Sequence, residues 1–181
     1  KYRKRITIPI YDIDNKLVSI KRRLVTEIED SDEPKYRHDP YSASEVLFNL
    51  NNVIKIPNNI KKWLSFKGII VIEGNLDVMM CHQMGWPNIV GTGSNNLTLG
   101  HAKLLEKYTH EILIIPDEDK KIVDGKEKWH GKKLIDSAKE YCGRTMNIYL
   151  SRVNPFKDTG SMLEPEDRHI LTNAINNRVR I

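Results

Sequence analysis

Cysteine is almost absent from this chain: Cys81 and Cys142 are the only two in 181 residues, and they match no C-x2-C spacing. Four tetrahedral ligands cannot be assembled from them, and adding His82 or His101 yields no paired spacing, which excludes a zinc site and a disulfide framework. Two isolated thiols on apolar helix faces are read as buried side chains in a reducing compartment. Long apolar runs are missing too. Nothing approaches the ~20 residues that span a bilayer, and no signal-peptide pattern opens the chain. The N-L-T at Asn96 is an acceptor sequon only in a secreted protein, so it carries no meaning here. There is no internal repeat and no low-complexity tract. A phosphate-cradling loop is also lacking. Gly125 to Lys133 reads G-K-E-K-W-H-G-K-K, with five residues between the glycines and Lys133 where a hydroxyl would hold Mg²⁺. Residues 120–130 therefore read as an insertion. The chain opens at Lys1 already in strand-like sequence, so a piece excised from a longer protein is expected.

What is present begins with charge. Lys and Arg number 29 against 24 Asp and Glu, a net charge of +5, and the placement says more than the total. Lys1, Arg3, Lys4, Arg5, Lys16, Lys21, Arg22 and Arg23 face only Asp12 and Asp14 over the first 23 residues. A basic segment beside an acidic site is a polyanion-binding layout, and a solvated charged face is the plain alternative.

The acidic site is read from a repeated phrase. Gly68 to Asp77 (G-I-I-V-I-E-G-N-L-D) places four β-branched residues before Glu73 and a glycine, then a helical pattern through Leu76, Met79, Met80 and Met84. Such a run suits a strand buried on both faces, and its carboxyl end is where open α/β sheets bind ligands. E-I-L-I-I-P-D at 111–117 repeats the phrase, with Asp119 two residues on, and N-I-Y-L followed by S-R-V-N-P-F-K-D repeats it again, ending at Asp158. Ordinary solvated loop acids would explain any one of these. Three strands delivering Glu73, Asp117, Asp119 and Asp158 to one sheet edge point instead to hard oxygen ligands for Mg²⁺ or Mn²⁺.

Taken in order, residues 4–10 alternate as a strand, with Pro9 favouring an edge, and 17–26 alternate again to close a hairpin over Y-D-I-D-N-K. Residues 27–44 read as a loop carrying Lys35, Tyr36, Arg37 and His38. A short apolar piece (46–50) and a helix (57–66) follow. Then come strand 69–73, helix 75–84, strand 88–91, helix 99–109 with Thr98 as N-cap, strand 111–115, helix 131–142, strand 144–150 and a last helix within 163–177. Leu134, Ile135, Ala138, Tyr141 and Cys142 form one apolar stripe of the third helix, which is core packing. Alternating strands and helices predict an α/β fold: a parallel sheet with helices on both faces and right-handed crossovers.

The motifs together resemble a known family. E-G-N-L-D at 73–77 and D-E-D at 117–119 resemble the E-G-x-x-D and D-x-D motifs of Toprim domains. T-G-S-N-N-L-T with the following H-A-K-L-L-E-K-Y helix, the R-I-T-I-P-I-Y-D-I-D-N-K-L-V-S-I-K-R-R-L hairpin and P-K-Y at 34–36 resemble bacterial and phage DnaG-type primases. The resemblance covers nearly the whole chain. It departs from the family at Gly160, where a second acid is expected, at the insertion 120–130, and in Y-S-A-S-E-V-L-F, where a lysine is expected.

The resemblance implies a basic α+β subdomain (1–66), a Toprim domain (67–160) and a C-terminal helical extension (161–181). It also implies a primase core making short RNA primers on single-stranded DNA from NTPs with Mg²⁺ or Mn²⁺. Asp117 and Asp119 would share a metal, and Glu73 is either a ligand or a general base. Asp77, one turn into its helix, either supports the ligands or complements the helix dipole. Lys21, Arg23, Lys35 and Arg37 would bind triphosphate or template, Arg22 pointing the other way from Lys21 and Arg23, while Tyr36 stacks on a base or packs. A zinc-binding module or a replicative helicase would lie outside the segment, in the cytoplasm of a bacterium or of a phage host. The rivals are a Toprim nuclease or topoisomerase-type enzyme and a Toprim binding module without catalysis.

Overall fold

The structure is a computed structural model, and it describes residues 4–25, 34–41, 43–123, 126–162 and 164–181. Strand β1 (Arg5–Tyr11) pairs antiparallel with β2 (Leu17–Leu24), and β3 (Tyr36–His38) adds to the other side of β2. The turn forms because Asp12 Oδ1 accepts the backbone N–H groups of Asp14 and Lys16 at 3.0 and 2.9 Å, while Asn15 takes the left-handed conformation. β1 is an edge strand, as Pro9 predicts. The loop expected over 27–44 contains β3, a strand too short to show periodicity; residues 26–33 and Ser42 lie outside the described residues, as do Lys1 and Arg3 of the basic run.

The chain then docks on the main sheet. Phe48 and Gly91 exchange backbone hydrogen bonds at 2.9 and 3.1 Å, and the Asn49 side-chain amide donates to the Ile89 carbonyl at 2.9 Å. Helix α1 (Leu50–Val53) follows, burying Leu50 and Val53 beside Leu47. The helix expected over 57–66 shrinks to α2 (Asn58–Lys61). Lys67 explains where it stops: its ammonium donates to the carbonyls of Lys61, Lys62 and Leu64, replacing the helical donors that would have continued the ladder.

The main sheet has the order β10-β9-β6-β4-β5. Strands β4 (Ile69–Ile72), β5 (Ile89–Gly91), β6 (Glu111–Ile114) and β9 (Asn147–Leu150) are parallel, and β10 (Val179–Arg180) is an antiparallel edge. The four parallel strands come out one to three residues shorter than expected, α3 and α4 end early, and α5 starts one residue late but ends at Cys142 as expected. Alternation sorts β4 between two cores. Ile69 and Val71 pack with α4 (Leu99–Glu106) and α5 (Lys132–Cys142), and Ile70 and Ile72 with α3 (Asn75–Gln83) and α6 (Arg168–Asn176). The sheet is thus covered on both faces, as a parallel sheet requires. α3 buries Val78 and Cys81; of the expected stripe Met84, just past the helix, is buried, while Met79 stays 38 % exposed and Leu76 and Met80 are half-buried. α4 starts on Thr98, whose hydroxyl accepts the His101 N–H at 3.1 Å while His101 Nδ1 accepts the Thr98 N–H at 3.3 Å. That leaves Nε2–H to donate to the Ala43 carbonyl at 2.8 Å, so His101 is a neutral structural histidine. The insertion is a hairpin, β7 (Lys120–Val123) with β8 (Lys126–Trp129).

Ile70 is fully buried at the middle of the sheet and Trp63 is 89 % exposed. Ile70→Ala should therefore remove ~2–5 kcal/mol of unfolding free energy, against within ~0.5 kcal/mol for Trp63→Ala, in urea titrations of unchanged slope. A larger loss from Trp63 would mean that the core is misplaced.

Candidate active site

The strand order creates the site. The chain leaves β4 into α3 on one face of the sheet and leaves β6 toward α5 on the other, so a crevice opens beyond their adjacent carboxyl ends. Glu73 stands at the end of β4 and Asp117 three residues past β6. The loop after β9 is tied in by a hydrogen bond from the Glu118 N–H to the Lys157 carbonyl at 2.6 Å, which brings Asp158 to the same edge.

The carboxylates are held in poor solvent and repel one another. Burial, with Glu73, Asp77, Asp158 and Asp119 nearby, pushes the Asp117 carboxyl up to about 8. Glu73 is pushed up to about 7 by burial and by Asp77 and Asp119, although the Asp117 backbone N–H bonds to it and pulls the other way. Its buried Oε1 has no hydrogen-bond partner. Asp77 rises to about 6 through burial and Asp158, opposed by Arg23, the Gly74 backbone N–H and Lys21. Lys157 stands between two further acids, with its ammonium 3.8 Å from Asp119 and 3.7 Å from Asp158, and Ser161 donates to Asp158 Oδ1 at 2.5 Å. Glu118 turns away and pairs with Arg152 at 3.2 Å.

Asp77 is a member of this cluster that the motif left undecided between support and helix dipole. Its carboxylate lies against two glycines. A Cβ at Gly160 would fall 2.0 Å from Asp77 Oδ1, and one at Gly74 1.9 Å from Oδ2, so a side chain at either position must push the carboxylate aside. The space for the second acid expected at residue 160 is thus filled by Asp77. Lys157 was missed altogether; the only signal for it was a lysine beside Asp158.

The basic sheet faces these acids with one side. Lys21 and Arg23 flank the Tyr36 ring at 4.7 and 5.7 Å, Arg23 donates to the Tyr36 hydroxyl at 3.3 Å, and both cations act on Asp77. Burial holds Lys21 below the usual lysine range, with Asp77 opposing. Arg22 points the other way and bonds Asp39 at 2.8 and 3.1 Å. Register places Arg37 opposite Arg22, hence on that far face, and Lys35 is exposed just before β3. The structure brings together Lys21, Arg23 and Tyr36 but not Arg37.

Among the described residues no three acidic, histidine or cysteine side chains converge tightly enough to cage one ion. The donor set nonetheless fits a small hard cation, which keeps several waters and takes one or two carboxylates plus substrate phosphates. An unpartnered Glu73 oxygen beside mutually repelling carboxylates is the observation that supports this fit. Glu73, Asp117, Asp119 and Asp158 would hold such an ion.

A Toprim-like family model matches residues 70–160, half of the chain, and spans every acid of this crevice. The chain belongs to the Toprim-like family. It is 31 % identical over 123 residues to a DNA primase of Clostridium acetobutylicum, covering 66 % of this chain and 19 % of that protein. A DNA primase of Helicobacter pylori is 34 % identical over 117 residues, covering 64 % and 20 %. The chain thus spans about a fifth of the length of these curated relatives. Its fold matches part of a crystal structure of the Aquifex aeolicus primase that holds zinc-binding and RNA polymerase domains, with TM-score 0.77 and 24 % identity, covering 99 % of this chain and 41 % of that one. A DnaG primase catalytic domain bound to single-stranded DNA matches with TM-score 0.74 and 18 % identity, covering 99 % and 53 %.

The raised carboxyls fix a pH dependence. Unfolded, these groups titrate near pH 4; folded, Glu73, Asp77 and Asp117 titrate at about 7, 6 and 8. Between those limits the unfolded chain holds fewer protons, so stability falls as pH rises. The melting temperature of metal-free protein should drop from about pH 4 to pH 8, and Asp117→Asn should flatten the drop and melt several degrees higher at pH 8, at about 2–4 °C per kcal/mol for a chain of this size. A rising or level wild-type profile would show that the acids are not crowded.

Proposed function

We propose that this chain is part of the catalytic core of a DNA primase, joining NTPs into short RNA primers on single-stranded DNA. The observation that carries the reading is the pairing of opposites: a crevice of buried carboxylates at the β4/β6 ends, faced by the Lys21–Tyr36–Arg23 side of the basic sheet. Nucleotidyl transfer asks a protein mainly to position reactants and to neutralise phosphate charge, and these two halves divide that work.

Lys21 and Arg23 hold the triphosphate or the template backbone, Lys35 adds a phosphate contact farther out, and Tyr36, already flanked by cations, offers a ring face to a base. Glu73 and Asp117 align the attacking hydroxyl, with Glu73 as ligand or proton acceptor; Asp119 and Asp158 are kept in place by Lys157. Mg²⁺ or Mn²⁺ held by the acids would neutralise charge on the reacting phosphate and the pyrophosphate leaving group. Residues 1–66, 67–160 and 161–181 act as basic subdomain, Toprim domain and helical extension. A zinc-binding module or a replicative helicase, and a cytoplasmic setting in a bacterium or a phage host, complete the proposal. Among the described residues no helix is long and apolar enough to cross a membrane.

Incubation with single-stranded DNA, labelled NTPs and Mg²⁺ or Mn²⁺ tests this directly. Short RNA products are expected; cut DNA would make the chain a nuclease, and metal binding without turnover a binding module. Asp117→Asn should abolish synthesis while keeping the fold, and near-normal synthesis would remove Asp117 from the site. Arg23→Ala should weaken DNA binding and lower its salt slope by about 0.7, the share of one single-strand phosphate contact. An unchanged slope would make Arg23 a solvated surface charge.

A further inference from the structure

The hairpin β7–β8 has no task in the chemistry above, yet its root is fixed to the acids. Trp129 Nε1 donates to the Asp117 carbonyl at 2.8 Å, and the His130 N–H donates to the Asp119 carbonyl at 3.0 Å. A Cβ at Gly131 would fall 2.3 Å from the Asp117 carbonyl oxygen, so the backbone closes directly on the D-x-D segment. Arg152 lies 4.7 Å over the Trp129 ring while it pairs with Glu118, which locks the root from the other side. The ribbon therefore begins where the reacting phosphate is held.

Its composition is one-sided. Residues 120–133 contain Lys120, Lys121, Lys126, Lys128, Lys132 and Lys133 against Asp124 and Glu127. Register sets Lys121 opposite Lys128 on the two strands. Among the described residues no third strand pairs with the hairpin, and two strands alone are marginal in water. Ile122 is 81 % exposed on the same ribbon. Four extended residues reach ~13 Å, the axial length of about four nucleotides at ~3.4 Å per strand residue.

We infer that β7–β8 is a basic arm lying along the sugar–phosphate backbone of the nucleic-acid strand engaged at the acid crevice. The arm deepens the primase reading and rests on it for which strand is engaged, but it is measured by binding alone. Template and growing RNA–DNA duplex share the recognised phosphates, so both are probed.

The test is fluorescence anisotropy of the full chain with a labelled single-stranded DNA oligonucleotide, and separately with an RNA–DNA hybrid, across a salt series. The Lys121→Gln/Lys126→Gln/Lys128→Gln variant should lower the slope of log affinity against log salt by about 2 on the engaged strand, three contacts at ~0.7 each for single-stranded DNA. The matching Lys→Arg triple should keep the slope. A control with the same loss of charge, Lys103→Gln/Lys107→Gln/Lys139→Gln at exposed positions in α4, at its C-cap and in α5, should also keep it. An unchanged slope in the hairpin variant on both probes, or an equal loss in the control, overturns the arm. Wild-type protein that binds with the full slope yet makes no RNA would remove the primase reading and leave the arm standing.

Discussion

Mutual repulsion among buried carboxylates is the constraint around which this molecule is arranged. Glu73, Asp77 and Asp117 are pressed together in poor solvent, and burial and proximity both favour their protonated forms. A protein carries such a cluster only when its surroundings supply compensation. Here the Asp117 and Gly74 backbone N–H groups, Lys21 and Arg23 provide part of it, and Lys157 serves Asp119 and Asp158. What remains uncompensated is negative charge at the carboxyl ends of β4 and β6, the feature on which the proposed function rests.

The sheet makes that concentration of charge possible. Strands buried on both faces form a rigid floor, and the exit of the chain to opposite faces after the parallel strands β4 and β6 opens a crevice at their carboxyl ends. The edges are closed by local devices. Phe48 and Asn49 satisfy part of β5, and β10 covers β9. Leu47, Leu50 and Val53 bury their side chains in the same core as β4 and β6, so the segment behind the basic sheet is anchored beneath the acids it serves.

Several elements were legible because their signals are local. Four β-branched residues before Glu73 announced β4, Thr98 announced the start of α4, and D-I-D-N-K announced the first turn. Others depended on partners distant in sequence. β3 exists because β2 offers it an edge, and α2 stops because Lys67 reaches back to its carbonyls. The face of α3 was misjudged by one position, since Val78 and Cys81 are selected by the neighbouring sheet and not by the methionines beside them.

By itself the sequence determined the order of β4, β5, β6 and β9 with the helices between them, the carboxylates at the strand ends, and the alternation that turns Arg22 away from Lys21 and Arg23. Periodicity and strand-end position are properties of neighbours along the chain, so they survive without a fold. The tertiary structure alone decided that Asp77 fills the space beside Gly160, that Arg37 sits on the far side of the basic sheet, that Lys157 stands between two acids, and that the inserted hairpin is rooted on Asp117 and Asp119. Each of these is a meeting of side chains and backbone from separate segments. Coulomb energy and burial depend on distance through space, which the order of residues does not contain.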